Sequence, residues 1–267
     1  NYIESPHEAE HEKDSDPSSQ HVWPKEGLLQ FHEVCLRYRA DTPTVLDNVT
    51  FTVLPREKVG VVGRTGAGKS SLVVALLRLV ELSSGDIIID GRKIVDLGLR
   101  TLRSAVAVIP QDPVLFSGTL RSNIDPFSKY TDTEVWEGLR RVQLGDAFSS
   151  LEYRIGEGAT NLSVGQRQLI CISRALLSKS KIIVMDEATA AVDVETDAVI
   201  QRAIRVEFRD STCLTVAHRL NTIIDSDKVL VMDKGKVAEF GSPSELLERE
   251  DSLFASLVAN WDGSIQD

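Results

Sequence analysis

No apolar stretch in these 267 residues approaches the roughly 18 to 20 needed to span a bilayer, so no membrane crossing is expected. Cysteine is scarce. Cys35, Cys171 and Cys213 show no metal-ligand spacing, which argues for free thiols in a reducing compartment rather than a disulfide framework or a zinc site. Cys171 and Cys213 stand inside apolar runs and read as core residues, not nucleophiles. Basic charge is also short: 30 Lys and Arg face 40 Asp and Glu, a net charge of −10. A nucleic-acid partner wants a basic face, because phosphate neutralisation dominates such affinity, and none is expected here. Asn1 opens the chain with neither a methionine nor a signal-peptide pattern, which gives the expectation of a piece of something longer.

What is present suits a globular domain. Hydrophobic residues make up 42% and charged residues 26%, enough for a sizeable core. Residues 1–26 are different. They hold Glu4, Glu8, Glu10, Glu12, Asp14, Asp16 and Glu26 against Lys13 and Lys25, a net −5 and half of the total. With no apolar period, they read as a flexible acidic linker. His7-Glu8-Ala9-Glu10-His11 matches the zinc-protease spelling His-Glu-x-x-His. That chemistry needs both histidines on one packed helix face with a third ligand, and a polar tail after Pro6 offers neither. Asn48-Val49-Thr50 and Asn161-Leu162-Ser163 match the glycosylation pattern, which a cytosolic chain would not use.

From Gly27 the pattern turns to strands. Leu28–Tyr38 and Val49–Val53 alternate apolar and polar residues, as a half-buried antiparallel sheet would. Lys58–Val62 is a short apolar strand, and Ser70–Val80 carries helical spacing. Further apolar strands end at Ile109, Met185, Val216 and Met232. Continuous runs such as Ile182-Ile183-Val184-Met185 suit a parallel sheet buried on both faces. Between Pro113 and Leu177 the character is helical. Thr131-x-x-Glu134 and Ser242-Pro243-x-Glu245 read as capping boxes. The expectation is therefore an α/β domain over 27–257, with a mostly parallel central sheet and an N-terminal antiparallel β subdomain. A helical subdomain is inserted at about 113–177, and 258–267 forms a tail.

Gly63-Arg64-Thr65-Gly66-Ala67-Gly68-Lys69-Ser70 fits the phosphate-cradling pattern Gly-x-x-x-x-Gly-Lys-Ser. Its glycines let backbone N–H groups turn inward, and the following helix points its positive end at the phosphates. Lys69 should reach the β and γ phosphates, and the Ser70 hydroxyl should ligate magnesium. An apolar strand then delivers Asp186 to the metal, directly or through water. Glu187 follows, placed to orient or deprotonate a water for in-line attack.

Leu162-Ser163-Val164-Gly165-Gln166, followed by Arg167-Gln168-Leu169, resembles the signature of ATP-binding-cassette ATPases. That resemblance covers about Gly27 to Leu257 and implies the fold of that family, a P-loop NTPase core with the two subdomains above. It implies ATP and magnesium as ligands. In the family's order, Tyr38 stands where an aromatic stacks on adenine, and Gln111 looks like the Q-loop residue that contacts magnesium. Asp193 looks like the D-loop aspartate, and His218 like the switch histidine at the γ-phosphate. The implied nucleotide set is Tyr38, Gly63, Arg64, Thr65, Gly66, Ala67, Gly68, Lys69, Ser70, Ser71 and Gln111. Magnesium falls to Ser70, Gln111 and Asp186, and catalysis to Lys69, Gln111, Glu187 and His218. Ser163, Gly165 and Gln166 would serve a partner's nucleotide in trans.

The valine of the signature and the stretch Gln111–Phe127 are similar to the second nucleotide-binding domain of the C subfamily, the multidrug-resistance-associated exporters. Glu187 suits that domain, because the subfamily's first domain typically lacks this carboxylate. Ala159 replaces an expected glycine and Ala191 a frequent serine. The implied partners are the other nucleotide-binding domain and the transmembrane domains of the same polypeptide. The membrane is reached only through that parent, with the domain on its cytosolic face. Isolated, the chain should be monomeric and weakly active. The implied cargo is organic anions or thiol conjugates. Two alternatives stay open: a channel-associated cassette that senses nucleotide without pumping, and a soluble cassette acting on DNA or ribosomes. The acidic balance and the single cassette count against the latter.

Overall fold

A computed structural model describes residues 9–13, 16–17, 23–186, 194–217 and 223–263. In chain order these form β1 (Leu29–Leu36), β2 (Leu46–Val53), β3 (Lys58–Val62), α1 (Lys69–Leu76), β4 (Ser84–Ile89), β5 (Arg92–Lys93) and a 3₁₀ turn at Ile94–Asp96. There follow α2 (Leu99–Ala105), β6 (Val106–Ile109), β7 (Gly118–Thr119), α3 (Leu120–Ile124), α4 (Asp132–Arg141) and β8 (Arg154–Ile155). After a second 3₁₀ turn at Glu157–Ala159 come α5 (Val164–Ser178), β9 (Ile182–Asp186), α6 (Val194–Glu207) and β10 (Thr212–Val216). The described chain closes with β11 (Lys228–Asp233), β12 (Lys236–Gly241), α7 (Pro243–Leu247) and α8 (Leu253–Gly263).

The central sheet runs β12-β11-β3-β10-β9-β6. Its strands are parallel except for β12, which pairs antiparallel with β11. The apolar runs are dealt alternately to its two faces, as strand periodicity requires. Ile182, Val184, Leu214 and Val216 join a core shared with α1 and the second sheet, whereas Ile183, Met185 and Cys213 join the helical core on the other side. Val229 and Val231 help build a smaller third core with Leu246 and Phe254. The second sheet, β2-β1-β4-β5, is antiparallel. It closes over α1 with Leu29, Phe31, Leu36, Phe51 and Ile87.

β1 departs from simple alternation. Its buried residues are Leu29, Phe31, Val34 and Leu36, so the inward set skips a residue after Phe31. The register with β2 shifts between Phe31 and Val34, and Glu33 takes a φ of 48°. This β-bulge turns the inward set back to the core after the extra residue.

The helical block contains a two-stranded ribbon, β7 with β8, that helical spacing alone did not foresee. It exists because the first turn of α3 needs acceptors, and the carbonyls of Tyr153 and Leu151 take the Leu120 and Arg121 N–H groups. Both expected capping boxes form, at Thr131/Glu134 and Ser242/Glu245, and a further one stands at Thr119/Ser122. Cys171 and Cys213 are buried. Burial pushes the Cys213 thiol up to about 11, which suits a core residue.

Parts of the acidic N-terminal segment lie against the body. The carbonyls of Glu10 and His11 accept the Leu99 and Arg100 N–H groups at 3.0 Å, and Asp16 Oδ1 accepts that of Gly98 at 2.8 Å. These are first-turn donors of α2, which has no side-chain cap of its own. Composition favoured a flexible linker because it carries no apolar signal; these contacts are backbone capping, which leaves none. Further on, the Asp90 carboxylate accepts the N–H groups of Lys25, Glu26, Gly27 and Leu28 at 2.7–3.1 Å. Trp23 donates its indole N–H to the Ile89 carbonyl. Among the described residues no helix is long and apolar enough to cross a membrane.

Candidate nucleotide-binding site

Strand register builds the site. Ile109 of β6 pairs with Met185 of β9, Met185 with Thr215 of β10, and Thr215 with Gly60 of β3. These four residues form one row across the sheet. One to three residues beyond that row, all at the carboxyl edge, come Asp186, Gln111 and the loop that starts at Gly63. Asp186 pairs with Val216, which pairs with Val61, so two strand spacings separate it from the loop's base, roughly 10 Å. The carboxyl edge of an open parallel sheet is where α/β folds bind ligands.

The loop itself is preorganised. Gly66 and Gly68 take φ values of 80° and 101°, a left-handed region that costs glycine little. Gly68 is the N-cap of α1 and supplies no side-chain cap. By contrast α3, α4, α5 and α7 each carry a capping box. The first-turn N–H groups of α1 therefore have no cap side chain, and helix dipole and donors together favour an anion there. Lys69 is buried, its ammonium held by the carbonyls of Gly63 at 2.8 Å and Arg64 at 3.2 Å. That puts a positive charge inside the loop. Arg64, Thr65 and Ser70 are exposed, and Ala67 is buried beneath them.

Tyr38 lies just past β1. Its hydroxyl is 3.0 Å from the Ser71 hydroxyl, in the first turn of α1, while the residue stays 47% exposed. It also lines an open groove of about 740 Å³ whose other wall is Arg78–Glu81, Ser83 and Ser84 and which no residue of Gly63–Ser70 lines. The ring is thus tethered to the phosphate-loop helix yet open to a planar ligand. A positive loop, an uncapped helix start, an exposed hydroxyl at Ser70 and a strand-end carboxylate at Asp186 fit a magnesium–nucleotide pair by charge and donor type. Glu187, Asp193 and His218 lie outside the described residues. So do His7 and Glu8 of the zinc-protease spelling, and no group of three or more His, Cys, Asp or Glu side chains that could hold a metal occurs among the described ones.

Ser163, Gly165 and Gln166 are not gathered with the loop. They open α5, whose flanking residues Leu162 and Leu169 belong to the helical core, whereas α1 belongs to the other. Ser163 Oγ accepts the Gln166 N–H at 3.1 Å, and Gln166 Oε1 accepts the Ser163 N–H at 3.0 Å. Ser163 remains exposed. Gly165 is tight against α6: a Cβ there would stand 2.2 Å from Thr196 Cγ2.

Three further residues act here that sequence reasoning passed over. Gln168 is 1% exposed and donates Nε2–H to the Pro110 carbonyl at 3.2 Å, just before Gln111. Arg174 donates to the Val114 and Asn123 carbonyls. Asn123 brackets Phe116, accepting its N–H and donating to its carbonyl, both at 2.8 Å.

The family model described as "ABC transporter" matches residues 46–190. The chain is 51% identical over 257 residues to ATP-binding cassette sub-family C member 2 of Rattus norvegicus, across 95% of this chain and 16% of that protein. It is 52% identical over 240 residues to the metal resistance protein YCF1 of Saccharomyces cerevisiae, across 88% of this chain and 16% of that one. It therefore spans about a sixth of the length of these relatives. A solved bacterial Atm1-family ABC exporter with ATP bound superposes with a TM-score of 0.85 at 32% identity, covering 94% of this chain and 44% of the other. On this footing the chain belongs to the ABC transporter family as an ATPase domain, and over most of its own length it is similar to sub-family C members.

Proposed function

We propose that this chain is the second, hydrolytic nucleotide-binding domain of a C-type exporter, and that it works on Mg-ATP as one of two facing half-sites. The observation that carries this reading is the shared row of Ile109, Met185, Thr215 and Gly60. It sets Gln111, Asp186 and the phosphate loop on one edge of the sheet. In this reading adenine stacks on Tyr38, and the α1 N–H groups and Lys69 hold the phosphates. Ser70, Gln111 and Asp186 would hold magnesium, which would supply positive charge to the phosphates. Glu187 orients a water and takes its proton, while His218 contacts the γ-phosphate. Ser163, Gly165 and Gln166 face the nucleotide of the partner domain, so closure requires both half-sites.

Two partners follow. The first is the opposing domain of the same polypeptide. The second is its transmembrane part, for which Val114 and Phe116, exposed at 56% and 71%, offer apolar side chains just after Gln111. That arrangement sets the domain on the cytosolic face of the membrane. The proposed cargo is organic anions or thiol conjugates.

The test is Glu187→Gln in the parent transporter. It should abolish phosphate release while leaving ATP binding intact. Phosphate release at the rate of the unsubstituted protein would remove Glu187 from the catalytic role.

A further inference from the structure

We propose that Gln168 is a positioning residue that ties Gln111 to the signature, so that the chain's own nucleotide site and the half-site it presents to a partner move as one body. This rests on the function proposed above. The signature and Gln168 share one helix, α5. Its N-cap is Ser163 of the signature, and Gln168 stands five residues further on, about 7.5 Å along the axis. Its buried amide grips the carbonyl of Pro110, the residue that joins β6 to Gln111.

The same helix holds the other side of the loop. Arg174 takes the Val114 carbonyl at 3.0 Å and Asn123 Oδ1 at 3.2 Å, and Asn123 in turn fixes Phe116. Gln111 and Asp112 are exposed and sit between two grips that share one rigid rod. Pro110 contributes no backbone N–H, so its carbonyl is the group by which that residue can be held. A displacement of the backbone at Pro110–Gln111 must therefore either break the Gln168 bond or carry α5 along. The bond is partly buried, so leaving the carbonyl unpaired carries a cost. Carrying α5 along moves Ser163 and Gln166 at its tip.

The experiment uses the parent transporter carrying Glu187→Gln, with and without an added Gln168→Met. Met keeps the length and volume but has no N–H to donate. Mg-ATP affinity is measured by titration, and amide hydrogen exchange is followed over 108–114 and 163–168. We expect affinity within about twofold in both proteins. Without the added change, both segments should gain protection on binding. With Gln168→Met, 108–114 should still respond and 163–168 should lose at least three-quarters of its response. In the Glu187 background, kcat should fall about tenfold or more for Gln168→Met with KM for ATP within twofold. An undiminished 163–168 response in the double variant would overturn the link while leaving the nucleotide reading standing. Failure of Mg-ATP to bind either protein would overturn both. Thermal melting separates a mere packing role, which would lower Tm and leave kcat per folded molecule unchanged, and that result also overturns the proposal.

Discussion

Tyr38 shows how a residue far from the phosphate loop in sequence becomes part of it. Its hydroxyl meets Ser71 on α1 while the ring faces the open groove, so the helix that receives phosphates also orients the ring. Tyr38→Ala should weaken ATP binding by about 1–3 kcal/mol, the range for a stacked base. Tyr38→Phe keeps the ring and loses the tether, and should cost only about 0.5–1.5 kcal/mol. Titration of both variants with a fluorescent nucleotide checks the order, and an unchanged affinity for Tyr38→Ala would show that the ring does not touch adenine. Residues of this kind were legible wherever function is written locally, as in Gly63–Ser70, where spacing alone defines the geometry. Gln168 and Arg174 were not, because their partners lie 58 and 51–60 residues away and nothing near them in sequence announces the pairing.

At the level of elements, the turn between α3 and α4 is held by one buried carboxylate. Asp125 accepts the N–H groups of Lys129 and Tyr130 and pairs with Arg121, which also reaches Asp132 and the Tyr130 carbonyl. Burial pushes this carboxyl up, but the Tyr130 and Lys129 N–H groups and Arg121 outweigh it and hold it below the ordinary carboxylate value of 3.8. A carboxyl depressed by folding contributes stability above that ordinary value and loses it as pH falls through the folded one. Asp125→Asn should therefore cost about 2–3 kcal/mol at pH 7, with the difference shrinking below about pH 4. Urea melts at pH 7 and at steps below 3.8 would show whether the gap narrows as the carboxyl is protonated. Helix starts were legible because a cap is a four-residue pattern, and Thr131/Glu134 and Ser242/Glu245 form as read. The bulge in β1 was not, since it answers to the partner strand rather than to the local alternation.

On the scale of the whole molecule, three cores meet at the central sheet, and the apolar runs announced that sheet because their residues must be buried on both sides. Strand order could not be read the same way. The sequence places β9 after the helical block, and only pairing shows it lodged between β6 and β10. The N-terminal segment marks the other limit: its polar composition hid contacts made by backbone groups. Asp90 is the clearest case. It belongs to an Asp-Gly hairpin turn, with φ of 45° at Asp90 and 77° at Gly91, and such pairs favour tight hairpins. Asp90→Asn keeps the turn but puts an amide NH₂ against the incoming N–H groups. It should cost about 2 kcal/mol, measurable by denaturant titration of the chain, and a loss below 0.5 kcal/mol would mean that the carboxylate does not anchor residues 25–28.

That clamp also decides how force enters the domain. Tension along the incoming backbone reaches Asp90 before it reaches β1, and four N–H bonds share the load. Asp90 directly follows β4, which pairs with β1, and that sheet closes over α1. A tug at residues 25–28 therefore turns sheet and phosphate-loop helix together, as a bolted bracket turns the plate behind it.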